Sequence, residues 1–274
     1  MIRSAIHRSQ RGFSLIEMMT ALVIFLLISA VAFSLLGVAQ KRYATESEVL
    51  NAFQEARLGL DQIVRDVNDA GYPPLTQFAS NPNVPSPVLY AVEPFAWEPD
   101  YPSTPCQIGQ NCTTTPGDFD LVIETQVGQN CPSGTSFGVS FIRYQLRADN
   151  TLYRGVECKT AGGDPDSVVT AAKMVPYVQN VMNNAPAAQI TNFRTYYPSM
   201  FPGAAPVPIF KYTCDTNIGP QDCAALGASP ENSVSRIRSV SVTLIVMAPL
   251  PDSQTGAPRL VELNGLGRRI NPNQ

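Results

Sequence analysis

The sequence predicts an α+β protein, a long N-terminal α-helix packed on a head that consists mainly of an antiparallel β-sheet with disulfides. Residues 13–39 form an apolar segment with a single charge, and a proline-free amphipathic pattern follows to residue 70. Beyond residue 118, β-branched segments alternate with glycine-containing turns. The 24 prolines and 18 glycines favour a head of strands and loops over a helical bundle.

The first half of the helix, residues 13–40, is predicted to cross a membrane. No charge occurs between Met18 and Ala39, and at about 1.5 Å per residue this stretch spans a hydrocarbon core of roughly 30 Å. Arginines precede the segment, which favours a cytoplasmic N-terminus. A secretory signal peptide is the alternative, but its apolar region is shorter, and residues 28–32 resemble a cleavage site only weakly.

The second half, residues 41–72, reads as an amphipathic continuation of the same helix. Its apolar residues recur at three- and four-residue steps; they are Val49, Leu50, Phe53, Leu60, Ile63, Val64 and Val67. The predicted polar face consists of Glu46, Glu48, Glu55, Arg57, Asp61, Arg65 and Asp66. Gly71 and the two prolines after Tyr72 predict the end of the helix. A core helix of a soluble domain would show the same pattern.

Residues 73–274 are predicted to form the β-rich head outside the cytoplasm. Eight prolines between residues 75 and 117 indicate a surface excursion with short extended pieces. The strand-like runs that follow are Phe119–Gln126, Phe137–Leu146, Gln189–Tyr197, Val207–Thr213 and Ile237–Met247. A turn at Asp149 and Asn150 predicts a hairpin between the second run and residues 152–154. We expect a short helix within residues 168–183.

All six cysteines lie after residue 100, in the part predicted to be outside the cytoplasm, and this even number favours disulfides. Their spacing does not match paired C-x-x-C zinc sites. Six cysteines allow 15 pairings, so the sequence does not fix the connectivity. The preferred set is sequential, with two short loops and one bridge across the hairpin: Cys106–Cys112, Cys131–Cys158 and Cys214–Cys223.

Composition argues against several function classes. A net charge of −3 gives no basic face for nucleic acid. His7 is the only histidine, and it precedes the apolar segment, so the head lacks Ser–His or Cys–His catalysis and imidazole ligands. Asp164 and Asp166 in a glycine-rich turn fit a solvated loop better than a metal site. We therefore expect a non-enzymatic protein without cofactor or metal.

Three aromatic residues of the proline-rich region allow two interpretations. Trp97, Phe95 and Tyr101 would suit a contact patch for a surface or a partner subunit. Buried anchoring of the long loop is the better-supported interpretation, because large aromatic side chains stabilise a fold most when they are buried.

Residues 11–17, RGFSLIE, resemble the processing motif of type IV prepilins and pseudopilins. The resemblance implies that residues 1–12 are a leader peptide, which prepilin peptidase removes between Gly12 and Phe13 before methylating Phe13. It also implies that Glu17, the fifth residue of the mature chain, acts in assembly. Loss of the leader leaves 16 of 19 basic residues against 22 acidic ones, so the net charge changes from −3 to −6.

A carboxylate inside a membrane span costs about 2.5–3.5 kcal/mol, so it usually faces a partner. After cleavage, the new amine of Phe13 would lie one helical turn from Glu17. In a filament, the amine of one subunit would instead meet the carboxylate of its neighbour. The simpler alternative is a glutamate near the interface whose side chain reaches water.

Weaker similarities point to one part of the family. Residues 120–121, 144–146 and 152–154 and the strand from Ile237 to Leu244 resemble W-type minor pilins and J-type pseudopilins. Ser34 stands where major pilins often have a proline, which favours a minor member. The resemblance implies a low-copy minor pilin that helps to initiate pilus assembly, in a tip complex. A J-type pseudopilin of a type II secretion system is the alternative, and a signal-anchored periplasmic binding or enzymatic domain is the alternative from another class.

The implied partners and location follow from this resemblance. Other minor and major pilins, or pseudopilins, would bind through the N-terminal helix, and prepilin peptidase would process the precursor. The chain would begin as a single-pass inner-membrane protein with a cytoplasmic N-terminus and a periplasmic head. After assembly it would lie in a pilus (fimbrium) or in a periplasmic pseudopilus.

Overall fold

A computed structural model describes most of the chain after the first eleven residues. Within it, the chain divides into two compact units, one that ends at Ser47 and one that begins at Glu48. The described residues are 12–72, 91, 94–95, 117–127, 131, 138–160, 164–227, 229–252 and 256–270. The predicted leader and most of the proline-rich region lie outside these ranges.

The predicted long helix is confirmed. Helix α1 covers Leu15–Asn68, 54 residues, close to the expected range of about 13 to 70. Beyond its end, the backbone N–H of Ala70 donates to the carbonyl of Val67. Gly71 then adopts a φ of 85°, a left-handed conformation that glycine adopts without a steric penalty. The glycine that the sequence marked as the stop therefore terminates the helix for the expected physical reason.

The part of α1 within the first unit exposes its apolar side chains along its whole length. Phe25, Leu26 and Phe33, for example, are 56–73% exposed. By length and composition, α1 contains a segment able to cross a membrane. Such exposure is unfavourable in water, where each large apolar side chain gains about 1.5–3 kcal/mol from burial. The segment therefore fits membrane anchoring, while the exact bounds of 13–40 stay a prediction.

The second unit contains two four-stranded antiparallel sheets, which confirms the α+β class. The order in the first sheet is β1-β2-β3-β4 and in the second β6-β5-β7-β8. The first sheet consists of β1 (Asp120–Thr125), β2 (Ser140–Leu146), β3 (Leu152–Cys158) and β4 (Val175–Val178). The second consists of β5 (Phe210–Thr216), β6 (Gly219–Asp222), β7 (Ile237–Met247) and β8 (Leu260–Arg268).

The main core lies between the C-terminal part of α1 and both sheets. Leu60, Ile63 and Val67 of α1 are buried with side chains from both sheets, which include Leu121, Ile142, Val240 and Leu244. Two smaller clusters cover other parts of the sheets, one around Phe141 and Val169 and one around Phe193 and Ile245. The predicted β2–β3 hairpin is present, with Leu146 opposite Leu152.

One strand prediction is wrong. Residues 189–197 belong mostly to helix α3 (Ala187–Tyr196), which follows Pro186 at its N-cap position. Ile190 and Phe193 are its buried residues, and their three-residue spacing is that of a helix face, not of a strand. The β-branched content of the run had suggested a strand, but burial along one helical stripe overrides this weak propensity.

Other elements refine the sequence-based picture. The short helix expected within residues 168–183 is only a 3-10 helix, Ala171–Lys173, while the α-helix α2, Pro165–Val168, ends where that range begins. The sequence analysis had not identified β4, β6 or β8. Leu50 was assigned to the buried stripe of α1, yet it is 58% exposed. The buried stripe of α1 therefore involves the residues from Ala56 onward rather than the whole predicted pattern.

Two disulfides link described cysteines. Cys131 pairs with Cys158, and Cys214 pairs with Cys223. The second bridge joins Cys214 of β5 to Cys223, which directly follows β6, at the end of the β5–β6 hairpin away from its turn. The third expected pair, Cys106–Cys112, lies outside the described residues.

Candidate processing and assembly site

The N-terminus of α1 has a capping arrangement that involves Glu17. Ser14 occupies the N-cap position, and its backbone N–H donates to Glu17 Oε2 at 2.9 Å. This is the return contact of a capping box, for which S-x-x-E is the sequence signature. Ser14 and Glu17 have this spacing, a signal that the sequence analysis did not use. The contact satisfies one N–H donor that the helix itself cannot pair.

The neighbouring residues are accessible in the described structure. Phe13 is 84% exposed, and a Cβ added at Gly12 would meet no atom within 4 Å. Neither residue lies in α1, which begins at Leu15. Residues 12–14 therefore precede the helix and belong to no regular secondary structure. Gly12, Phe13 and Glu17 are neighbours in the sequence, so the cleavage site and the role of Glu17 in assembly stay predictions.

Glu17 is the only acidic residue in the first turn of α1. A carboxylate at this position interacts favourably with the positive end of the helix dipole. Thr20 Oγ1 also donates to the backbone carbonyl of Glu17 at 3.0 Å. Both contacts are exposed, so the carboxylate has free acceptor capacity toward a second donor. Carboxylate oxygens of this kind accept hydrogen bonds, for example from an amine.

Asp66 is a second carboxylate of α1, and it lies in the head. Its predicted place on the polar face of the helix is wrong, because Asp66 is only 5% exposed. Its Oδ2 accepts hydrogen bonds from Tyr144 Oη at 2.5 Å and Arg154 Nη2 at 2.8 Å. Gln62 donates to the other oxygen at 2.7 Å. Burial, and secondly the charge of Asp66, raise the pKa of Tyr144 far above its usual value.

The sequence contained a partial signal for this cluster. Tyr144 and Arg154 face each other directly across the β2–β3 hairpin, and both positions follow from the predicted turn. What the sequence did not contain is the position of α1 over that hairpin, which brings Asp66 to the pair. Buried charges require such partners, because an unpaired charge in the interior is very costly.

A second buried ion pair joins β1 to the end of β3. Lys159 Nζ lies 2.9 Å from Glu124 Oε2, and both side chains are almost completely buried. Lys159 directly follows Cys158 of the Cys131–Cys158 disulfide. The disulfide and the ion pair therefore constrain the same end of the first sheet, where β1 and β3 terminate.

The two aspartates singled out as a weak metal candidate have other roles. Asp164 caps α2 by accepting the N–H of Ser167 at 2.8 Å. Asp166 forms an ion pair with Arg143, which also binds Asp120 at 2.6 Å. Within the described ranges, no group of three or more His, Cys, Asp or Glu side chains is placed to hold a metal ion.

A polar cavity of about 460 Å³ lies beside the Asp66 cluster and is bordered by Gln62, Arg65, Asp69, Thr125 and Arg154, among others. Its charges have both signs, so it selects neither anions nor cations. Burial, and secondly the charge of Asp66, raise the pKa of Asp69, whereas Arg65 lowers it.

The aromatic patch is only partly described. Phe95 is fully buried and belongs to the main core, where it forms an isolated β-bridge with Ile123. It therefore anchors the chain rather than offering a contact surface. Trp97 and Tyr101 lie outside the described residues, so the adhesive interpretation of these two residues stays a prediction.

Comparison with known proteins identifies the N-terminal segment. Residues 7–33 match the family model of the prokaryotic N-terminal methylation motif. Searches of curated proteins and of solved structures return no match. The motif implies processing by prepilin peptidase and assembly with other pilins, and it points to a structural subunit rather than an enzyme. Together with the capped, exposed apolar helix, this match supports a place for the chain in the type IV prepilin and pseudopilin family.

Proposed function

We propose that this protein is a minor type IV pilin, a low-copy structural subunit that helps to initiate pilus assembly, in a tip complex. The observation that carries the proposal is the methylation motif at residues 7–33, which includes the start of a helix whose apolar side chains are exposed throughout its first half. Such a helix must be covered by lipid before assembly and by other helices afterwards.

The motif directs the processing of the precursor. Prepilin peptidase cleaves between Gly12 and Phe13, ahead of the first residue of α1. It then methylates the new N-terminus at Phe13. Glu17, three residues into α1, is left with an exposed carboxylate and acceptor capacity for a donor from a neighbouring subunit.

Pairing between the N-terminal amine of one subunit and the Glu17 carboxylate of its neighbour would select one axial register. The Phe13 amine of one subunit meets the Glu17 carboxylate of the next, and both charges are neutralised in a medium of low polarity. Each misaligned register leaves a carboxylate unpaired there, at a cost of about 2.5–3.5 kcal/mol. The contact therefore favours insertion of each new subunit at a single height.

A minor role is supported by the head. It carries two sheets with eight strands and at least two disulfides, a large structure for a repeated subunit. Its internal ion pairs and core stabilise it without a partner. Such a head suits a subunit that is present in few copies at one end of the filament.

Peptide mass spectrometry of filaments sheared from cells tests the proposal. We expect a peptide that begins at N-methylated Phe13, and a head present at a small fraction of the most abundant pilin. A Gly12→Val variant, which should retain its leader, is the negative control. A processed, methylated protein that stays in the membrane and is absent from sheared pili would instead make it a J-type pseudopilin. An N-terminus still at Met1, with active peptidase present, would instead favour the interpretation as a signal-anchored domain.

A further inference from the structure

The four edge strands of the head differ in how they are protected. An open edge offers unpaired N–H and C=O groups to other chains, and proteins usually block it with proline, short strands or a covering segment. β4 and β6 have four residues each and contain Pro176 and Pro220. On the outer side of β1, Glu124 accepts from the N–H of Gly71 and donates to the carbonyl of Pro94, and Gln126, just after the strand, donates to the carbonyl of Tyr72.

Within the described part of the chain, β8 has none of these features. It is nine residues long, contains no proline and pairs with β7 without a register shift. Just beyond the two ends of β8, the backbone carbonyl of Arg259 and the backbone N–H of Arg269 form hydrogen bonds with residues on the β7 side of the sheet. Because backbone groups alternate along a strand, the even-numbered residues 260–268 direct their N–H and C=O groups away from β7.

The two ends of this outer edge are capped by side chains of the same chain. Asn68 Oδ1 accepts the N–H of Arg268 at 2.8 Å, and the Tyr197 hydroxyl lies 3.5 Å from the N–H of Leu260. Between these caps, the N–H groups of Glu262, Asn264 and Leu266 have no hydrogen-bond partner within the described part of the chain.

The side chains of this middle segment do not cover the edge. Asn264 accepts a hydrogen bond from Thr243 Oγ1 of β7 and donates one to Glu262 Oε1, so both polar side chains are held along their own sheet. Leu266 is 61% exposed beside them. The segment thus combines open backbone groups with one large apolar side chain.

We propose that residues 262–266 of β8 bind an extended strand of a different filament subunit, which continues the second sheet by main-chain pairing. Strand addition of this kind derives affinity from backbone hydrogen bonds and specificity from alternate side chains. Leu266 supplies the apolar contact for the partner strand. The identity of the partner rests on the proposed function, whereas the open edge does not.

Two considerations select this occupant. Pairing of three outward N–H groups is too small a contact to be stable between free proteins, where specific interfaces bury about 1,200 Å² or more. A partner whose own helix is anchored in the same membrane or filament is held at high effective concentration, which removes this limit. A second copy fits poorly, because antiparallel pairing centred on Asn264 would place each Glu262 opposite a Leu266.

Photo-cross-linking of the full chain in pilus-producing cells tests the proposal. A benzophenone amino acid replaces Leu266, and the same group at Ile218, 84% exposed in the β5–β6 turn, is the control. Asn264→Pro removes an outward N–H without breaking the β7–β8 ladder, and Asn264→Ala removes only the side chain. Glu262→Pro is a second test of the same edge, and protease resistance of each variant reports on folding.

We expect a cross-link from position 266, but not from 218, to an extended segment of a different pilin-type subunit. It should be lost with Asn264→Pro or Glu262→Pro and kept with Asn264→Ala. A cross-link that survives both prolines, that joins two copies of this chain, or that does not exceed the control would overturn the proposal. The N-terminal peptide of the same samples reports separately on the proposed function, since an unprocessed chain can still show the edge contact.

Discussion

Glu17 and Asp66 are carboxylates of the same helix with very different surroundings. Asp66 is buried and bound by the side chains of Tyr144, Arg154 and Gln62. Glu17 is exposed, and among the described residues its side chain is bound only by the backbone N–H of Ser14. The head thus completes its own charge pairs, whereas the N-terminal segment leaves a carboxylate available for a partner outside the chain.

The apolar side chains show the same contrast. Ile63 and Val67 are completely buried within the second unit, while Phe25 and Phe33 of the first are 67% and 73% exposed. The head is therefore stabilised by its own contacts, and the N-terminal segment requires lipid or other helices. Substitutions in the head should change its unfolding and leave processing intact, and substitutions at the N-terminus should do the reverse.

The largest expected effect in the head comes from the Cys131–Cys158 disulfide. It closes a loop of 27 residues, against 9 for Cys214–Cys223. Loop-closure entropy predicts a loss of about 3.5 kcal/mol for the first and about 2.6 kcal/mol for the second when both cysteines become serine. Urea unfolding of the full chain in detergent, followed by circular dichroism, measures both. Equal losses would show that local packing, not loop length, determines the effect.

Removing the carboxylate of Asp66 should cost nearly as much. Asp66→Ala leaves Arg154 and the buried Tyr144 hydroxyl without their shared acceptor, so we expect a loss of about 3 kcal/mol in the free energy of unfolding. Asp61→Ala, an exposed acid of the same helix, is the matched control and should change it little. If the two variants unfold alike, the buried cluster does not stabilise the head.

Close contact between β8 and α1 gives a smaller effect. A Cβ at Gly267 would lie 2.5 Å from Val67 Cγ1 and 2.6 Å from its Cβ, too close for this branched side chain to avoid. Gly267→Ala should therefore destabilise the head by about 2 kcal/mol. Gly203→Ala, whose Cβ has no neighbour closer than 3.8 Å, is the control in the same unfolding assay. If Gly267→Ala left the free energy of unfolding unchanged, α1 would be able to shift away from β8 without cost.

The smallest effect concerns pH. Burial and the charge of Asp66 raise the pKa of Asp69 above 3.8, so the folded state holds this proton more tightly than the unfolded state. Ionised Asp69 therefore lowers stability as the pH rises through and above this range. Asp69→Asn should be slightly more stable than the native chain at neutral pH and lose that advantage below pH 3.8. Thermal unfolding of both proteins across this pH range measures the difference in their stability. A difference that grows as the pH falls would contradict the prediction.

The sequence predicted the parts of the molecule that depend on local pattern. The uncharged segment, the glycine stop at Gly71 and the alternation in β7 all carry their signal within a few residues. Helix α3 was missed because Ile190 and Phe193 are too few to establish a helical period beside β-branched neighbours. Asp66 was misplaced because its partners are 78 and 88 residues away in the sequence. Strand β8 was missed because Gly265 and Gly267, which admit the close approach of α1, weaken its strand pattern.

The most direct test of the central claim compares Glu17→Ala with Glu48→Ala, an exposed carboxylate of the same helix outside the predicted span. Both variants are expected to be cleaved at Gly12 and methylated at Phe13. The measurement is the amount of processed protein in sheared filaments, relative to the amount in the membrane. The account predicts that this ratio falls for Glu17→Ala and stays at the native value for Glu48→Ala. An unchanged ratio for Glu17→Ala would contradict the claim that this carboxylate meets its partner in a neighbouring subunit.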